Sequence, residues 1–263
     1  TIYAGFIDPY LVLGATNPPI LTSGFEPVSV ADSLRSGAKF FGAPGVRTDM
    51  GSAGPGEDMA KITPQHRAVR DYSPNDKELA PLRGLGFTAG LIVPAKGILR
   101  GTSALVALSD EDPNQVVIRP DVFQHIAFET HASDERSYPG SLMGVIAAIR
   151  QTFFDAQHYV LDTADYRKNP HGRKRSPFDP SLETLAPVLA RKMPVMFEPG
   201  SALMVDRAAR VAAELHLDFC ILSCGQEWRR PDLAQATGAS FIVPLDFPTL
   251  PKLPSEEDWA QVS

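Results

Sequence analysis

Several things are scarce in this chain, and each scarcity removes a class of function. Cysteine is nearly absent, with only Cys220 and Cys224 in 263 residues. Both fall on one apolar run and its end, where four residues of extended chain span about 13 Å. That exceeds the Cα separation of a disulfide, so both are expected as thiols. A metal pair is equally unsupported, because no second Cys or His pair at ligand spacing accompanies them. Positive charge is outnumbered, 25 Lys and Arg against 31 Asp and Glu. A general nucleic-acid binder is therefore not expected, since phosphate binding needs a clustered positive field. The one basic run, Lys168 to Arg175, reads as a solvated loop. No apolar run approaches the roughly 20 residues of a membrane helix. The sequence also has no Gly-x-x-x-x-Gly-Lys-Ser/Thr phosphate loop and no Gly-x-Ser-x-Gly nucleophile elbow.

What is present is an ordinary globular composition, 43% hydrophobic and 21% charged, in a chain long enough for one large domain. The clearest pattern lies in the last third. Pro194 to Phe197, Phe219 to Leu222 and Ser240 to Val243 are short apolar runs separated by helical segments, as expected of parallel strands buried on both faces. Between the first two, Leu203, Ala208, Val211, Ala212 and Leu215 recur at helical spacing. Before them, Leu182, Leu185, Val188 and Leu189 suggest another helix, capped by Asp179 or Ser181. Further upstream the pattern predicts a short helix ending near Arg83 and strands over Thr88 to Val93, Ala104 to Leu108 and Val116 to Ile118. A long helix is expected after Pro139, burying Leu142, Val145, Ile146, Ile149, Phe153 and Ala156. Gly42 to Pro64 reads as a long Gly- and Pro-rich excursion, and Phe247 onward as a Pro-rich tail. Alternating strands and helices over this length indicate an α/β fold, either a β/α barrel or a doubly wound sheet.

The opening segment Gly5-Phe6-Ile7-Asp8-Pro9-Tyr10-Leu11-Val12 resembles the first barrel strand of the metal-dependent amidohydrolases, a Gly-(apolar)2-Asp-x-His-x-His motif. Residues 82 to 108, 137 to 159 and 191 to 228 are similar, in order, to later segments of the imidazolonepropionase-like branch. The resemblance implies a TIM-type barrel of the metal-dependent hydrolase kind. It also implies hydrolysis of carbon–nitrogen bonds by water activated on a divalent metal such as zinc, with the site at the C-terminal ends of the strands. Only about six or seven strands are legible, the last near Val243, so the closing strand is expected beyond Ser263. The chain then reads as one partial barrel domain of a longer or tandem protein, with an adjacent catalytic amidohydrolase domain as partner.

The departures from that motif carry as much information as the match. Tyr10 and Val12 stand where the two metal-ligating His would be, Glu198 ends the fifth strand, and Ser223 to Gln226 stand near the sixth-strand ligand. Val offers no donor atom and a neutral Tyr is a poor substitute for imidazole. The expectation is therefore a domain without a bound cofactor, with zinc expected only if the family activity is retained. Its role would be structural, or to hold a small molecule at the barrel mouth.

Glu198 and Asp246 are the candidates for a relocated catalytic pair, the alternative for Glu198 being a cap on the helix that begins near Ser201. Tyr10, Lys96, Arg100 and Gln226 are candidate ligand-binding residues. Lys96 and Arg100 lie in a Gly-rich segment read as a tight turn. His125, Glu129 and His131 would share one face of an extended strand, an arrangement that can bind zinc, the alternative being a chance grouping on a solvated edge. His66 reads as a surface histidine.

Overall fold

A computed structural model describes residues 4–12, 61–73, 76–129 and 139–244. The fold is mixed α/β with two sheets. The first is ordered β1-β2-β4-β5, formed by β1 (Phe6–Leu11), β2 (Phe87–Ile92), β4 (Ala104–Ala107) and β5 (Val117–Arg119). β1 and β2 are parallel, whereas β2, β4 and β5 run antiparallel in turn. The second sheet, ordered β3-β6-β7-β8-β9, contains β3 (Leu99–Thr102), β6 (Gln124–Ala127), β7 (Val195–Glu198), β8 (Phe219–Leu222) and β9 (Ser240–Ile242). β6 to β9 are all parallel, and β3 pairs antiparallel with β6.

Parallel neighbours require crossovers, and helices supply them. Leu142–Lys168 begins at Ser141, whose hydroxyl accepts the Gly144 N–H at 3.2 Å. Pro139 thus stands outside the helix, two residues before the cap. The buried stripe, Val145, Ala148, Ile149, Thr152, Phe153 and Ala156, follows the 3.6-residue period. Ala202–Leu215 links β7 to β8 and ends at His216, whose φ of 55° breaks the helix. Here Leu203, expected inside, is 55% exposed, because Ala202, Met204 and Val205 take the core-facing positions instead.

The single helix expected over 182–189 is two short ones, Pro180–Thr184 and Ala186–Leu189. Asp179 caps the first, accepting from the N–H groups of Ser181 and Leu182. Pro187 has no N–H to continue the ladder, so the chain must restart there.

Side-chain alternation divides the second sheet between two cores. Ile126, Val195 and Phe197 pack outward with Val145, Ile149, Phe153, Val211 and Leu215 of the helices. Met196 and Cys220 face the other way and meet Leu91 and Val93, with Tyr10, Val12, Leu105 and Ile242 against them. The inward faces of both sheets therefore share one apolar interior, and Tyr10 lies at its margin. Burying a side chain the size of Phe153 or Ile149 contributes about 1.5–3 kcal/mol, so Phe153→Ala would cost about 3–5 kcal/mol.

The segment read from sequence as a tight turn around Arg100 is instead a strand, β3. Its pairing with β6 shifts between Leu99 and Gly101, which oppose Ile126 and His125. Arg100 is the extra residue of a β-bulge, a feature that re-aims a side chain. Only glycine fits at 101: φ is +104°, and a Cβ would lie 2.2 Å from the His66 carbonyl oxygen.

Candidate functional site

Three strands converge on Glu198, the last residue of β7. Tyr10 Oη of β1 donates to Glu198 Oε2 at 2.9 Å. His125 Nδ1 of β6 lies 2.8 Å from Glu198 Oε1. The bulged Arg100 of β3 sends one terminal nitrogen to Glu198 and the other to Glu129, while its Nε donates to the Gly97 carbonyl at 3.1 Å. These partners are 188, 73 and 98 residues from Glu198 in sequence. His125 is fully buried, and the side chains of Arg100 and Glu198 are 7% and 9% exposed. Glu129, just past β6, is the one member open to solvent, with 54% of its side chain exposed.

Electrostatics set the charge states of Glu198, Tyr10 and Arg100. Burial pushes the Glu198 carboxyl up, but the His125 hydrogen bond, the Arg100 charge and the Tyr10 hydroxyl outweigh it, and the net direction is downward. Burial and the adjacent Glu198 charge push the Tyr10 hydroxyl far above its ordinary value, so it remains a donor. Burial lowers Arg100, but the two carboxylates more than reverse it. One guanidinium thus faces two carboxylates, and both Glu198 oxygens are engaged. His125 Nε2 is buried with no hydrogen-bond partner among the described residues.

Could the same side chains hold a divalent metal? Val12 supplies no donor, Tyr10 stays protonated, and Glu198 is committed to a guanidinium that would repel a second cation. Among the described residues, no three His, Cys, Asp or Glu side chains are arranged to hold a metal ion. Tyr10, Val12 and Glu198, as the described residues place them, do not form a metal-binding set.

Of the residues singled out from sequence, the structure brings together Tyr10, Arg100 and Glu198, with His125 and Glu129. It does not place Glu198 as a helix cap: its oxygens turn to the cluster, and Ser201 starts the next helix without a side-chain cap bond. Lys96 is exposed on the turn before β3. Gln226 lies beyond β8, in a turn that closes on Glu227 through Ser223 Oγ and the Cys224 N–H, each at 2.8 Å. Burial pushes the thiols of Cys220 and Cys224 up to about 11, so neither is a thiolate nucleophile at neutral pH.

The strand carrying His125 is not a solvated edge, because β6 lies between β3 and β7. It ends at Ala127, so Glu129 stands beyond it and meets Arg100 from a loop. His66 is tied to the Arg100 backbone, its Nδ1 3.1 Å from that carbonyl oxygen, and its Nε2 is 2.6 Å from Asp71. Asp246, His131, most of the 42–64 excursion and the tail from 247 lie outside the described residues.

No family model matches the chain, and no curated protein does. A crystal structure of an amidohydrolase from Thermotoga maritima MSB8 matches with a TM-score of 0.66 at 17% identity. The chain is similar in fold to that amidohydrolase. The match covers 92% of this chain and 57% of the other, so the chain spans little more than half its neighbour's length. No described helix is long and apolar enough to cross a membrane.

Proposed function

We propose that this chain is an amidohydrolase-like domain of the TIM-barrel type in which the Arg100 guanidinium, not a metal ion, balances the carboxylates at the strand ends. Its role is structural and non-catalytic, as one part of a larger protein that includes a catalytic amidohydrolase domain. One observation carries this reading. Tyr10 and Glu198, at positions where the motif would place or allow metal-ligating His, bond to each other, and Arg100 and His125 use the remaining capacity of Glu198. Water activation in the family depends on an open metal position. A closed ion-pair cluster leaves no such position.

Thermal unfolding with added zinc and with a chelator tests this directly. A ligand that binds only the folded state raises its stability, so neither addition should move Tm. A rise with zinc that Glu198→Gln abolishes would contradict the reading. So would an amidase or cyclic-amidase activity lost in that variant.

A further inference from the structure

We propose that a second site, at the opposite end of the second sheet from Glu198, binds the phosphate group of a small phosphorylated molecule. It is independent of the cluster described above, and neither inference requires the other.

The site is a cleft of about 430 Å³ lined by Arg67, Thr102, Arg119, Asp121, Lys192 and Met193 among others. Asp121 precedes β6 and Lys192 precedes β7, which places the cleft at the N-terminal ends of these parallel strands.

Asp121 is the hub that builds it. The Arg67 Nε donates to its Oδ1 at 2.9 Å and Arg67 Nη2 to its Oδ2 at 2.5 Å, while the Thr102 hydroxyl donates to Oδ1 at 2.7 Å. Its backbone carbonyl accepts the Arg119 Nε at 3.2 Å. One residue therefore orients two guanidinium groups toward one cleft. Burial raises the Asp121 carboxyl, but Arg67 and Thr102 hold it below its ordinary value, so its charge is constant near neutrality and already covered. Three lining cations against this one carboxylate leave a surplus of two positive charges.

Arg119 commits only Nε, so its terminal nitrogens have no partner among the described residues. Lys192 likewise has no ion pair among them. Across the β3–β6 ladder from Thr102, Gln124 is fully buried with Nε2 and Oε1 unpartnered among the described residues.

Chemistry selects the ligand class. A phosphate monoester carries about −1.5 to −2 at neutral pH with three strong acceptor oxygens. Arginine meets it with paired N–H donors and lysine as a point charge. The volume falls in the range of about 300–1,000 Å³ typical of small-molecule sites, and Pro187 and Met193 offer apolar surface to the remainder of the molecule.

Calorimetric titration of the chain with inorganic phosphate, glucose 6-phosphate and malonate tests the proposal. Both phosphates should bind and weaken with added salt, with the ester tighter if the apolar wall contributes and the two equal if the phosphate alone is held. Arg119→Ala and Lys192→Ala, both changes at exposed positions, should each weaken binding about tenfold, the effect of losing one hydrogen bond to a charged group. No saturable heat with either phosphate would overturn the site. So would unchanged affinity in the double variant, or malonate binding as tightly as phosphate.

Discussion

Two of the arginine–carboxylate pairs among the described residues lie at opposite ends of one sheet, and their surroundings give them opposite properties. Arg100 and Glu198 have side chains 7% and 9% exposed, and Tyr10, His125 and Glu129 complete their hydrogen bonding. Arg67 and Asp121 are 34% and 37% exposed, beside a cleft with cations to spare. The buried cluster engages both oxygens of Glu198 and carries one more carboxylate than guanidinium. The open pair instead serves as a scaffold that aims further positive charge outward. A salt bridge by itself therefore indicates neither binding nor stability; its neighbours decide.

The largest test of this contrast is truncation of each arginine. Arg100→Ala strands two carboxylates, one of them buried, and should cost about 3–5 kcal/mol in urea denaturation. Arg67→Ala should cost about 1 kcal/mol or less, because solvent screens Asp121. Equal losses would erase the distinction. Tyr10→Phe comes next, removing one hydrogen bond to a charged group for about 1.5–3 kcal/mol; a neutral result would mean the Tyr10 to Glu198 contact contributes nothing.

Acid should act through Glu198 in a defined direction. Its folded pKa lies below the ordinary 4.5, so its contribution is complete above that value and is lost as pH falls through the folded one. The stability gap between the parent and Glu198→Gln should narrow on acidification and stay constant above pH 5. A gap that widens in acid would reverse the sign of the shift. The smallest effect is that of salt. Raising it from about 0.1 to 1 M shortens the screening length from about 10 to 3 Å. It should shrink the Arg67→Ala loss and leave the Arg100→Ala loss unchanged.

Sequence and structure agree where period and burial coincide. The runs at β7 and β8 and the stripe from Val145 to Ala156 are legible because they are buried, and β9 because its apolar run is continuous, although Ser240 is exposed and Phe241 and Ile242 are half-buried. Leu99–Thr102 was not, because two glycines flank Ile98, Leu99 and Arg100 and the strand is supported by Ile62 and His66, from a segment without periodicity. Tyr10, Arg100, Glu198 and His125 each stand out as residue types, but their meeting does not. The pairs are 73 to 188 residues apart, and the β-bulge that turns Arg100 inward has no signature beyond Gly101. The cleft around Asp121 has no sequence signature for the same reason, since Arg67, Arg119 and Lys192 form no basic run.

Elemental analysis of the purified protein, expressed with zinc, iron and manganese supplied, bears most directly on the claim that a guanidinium balances the carboxylates in place of a metal. The expected result is far less than one metal ion per chain, unchanged in Glu198→Gln. Near-stoichiometric zinc, iron or manganese in the parent, lost in that variant, would contradict it.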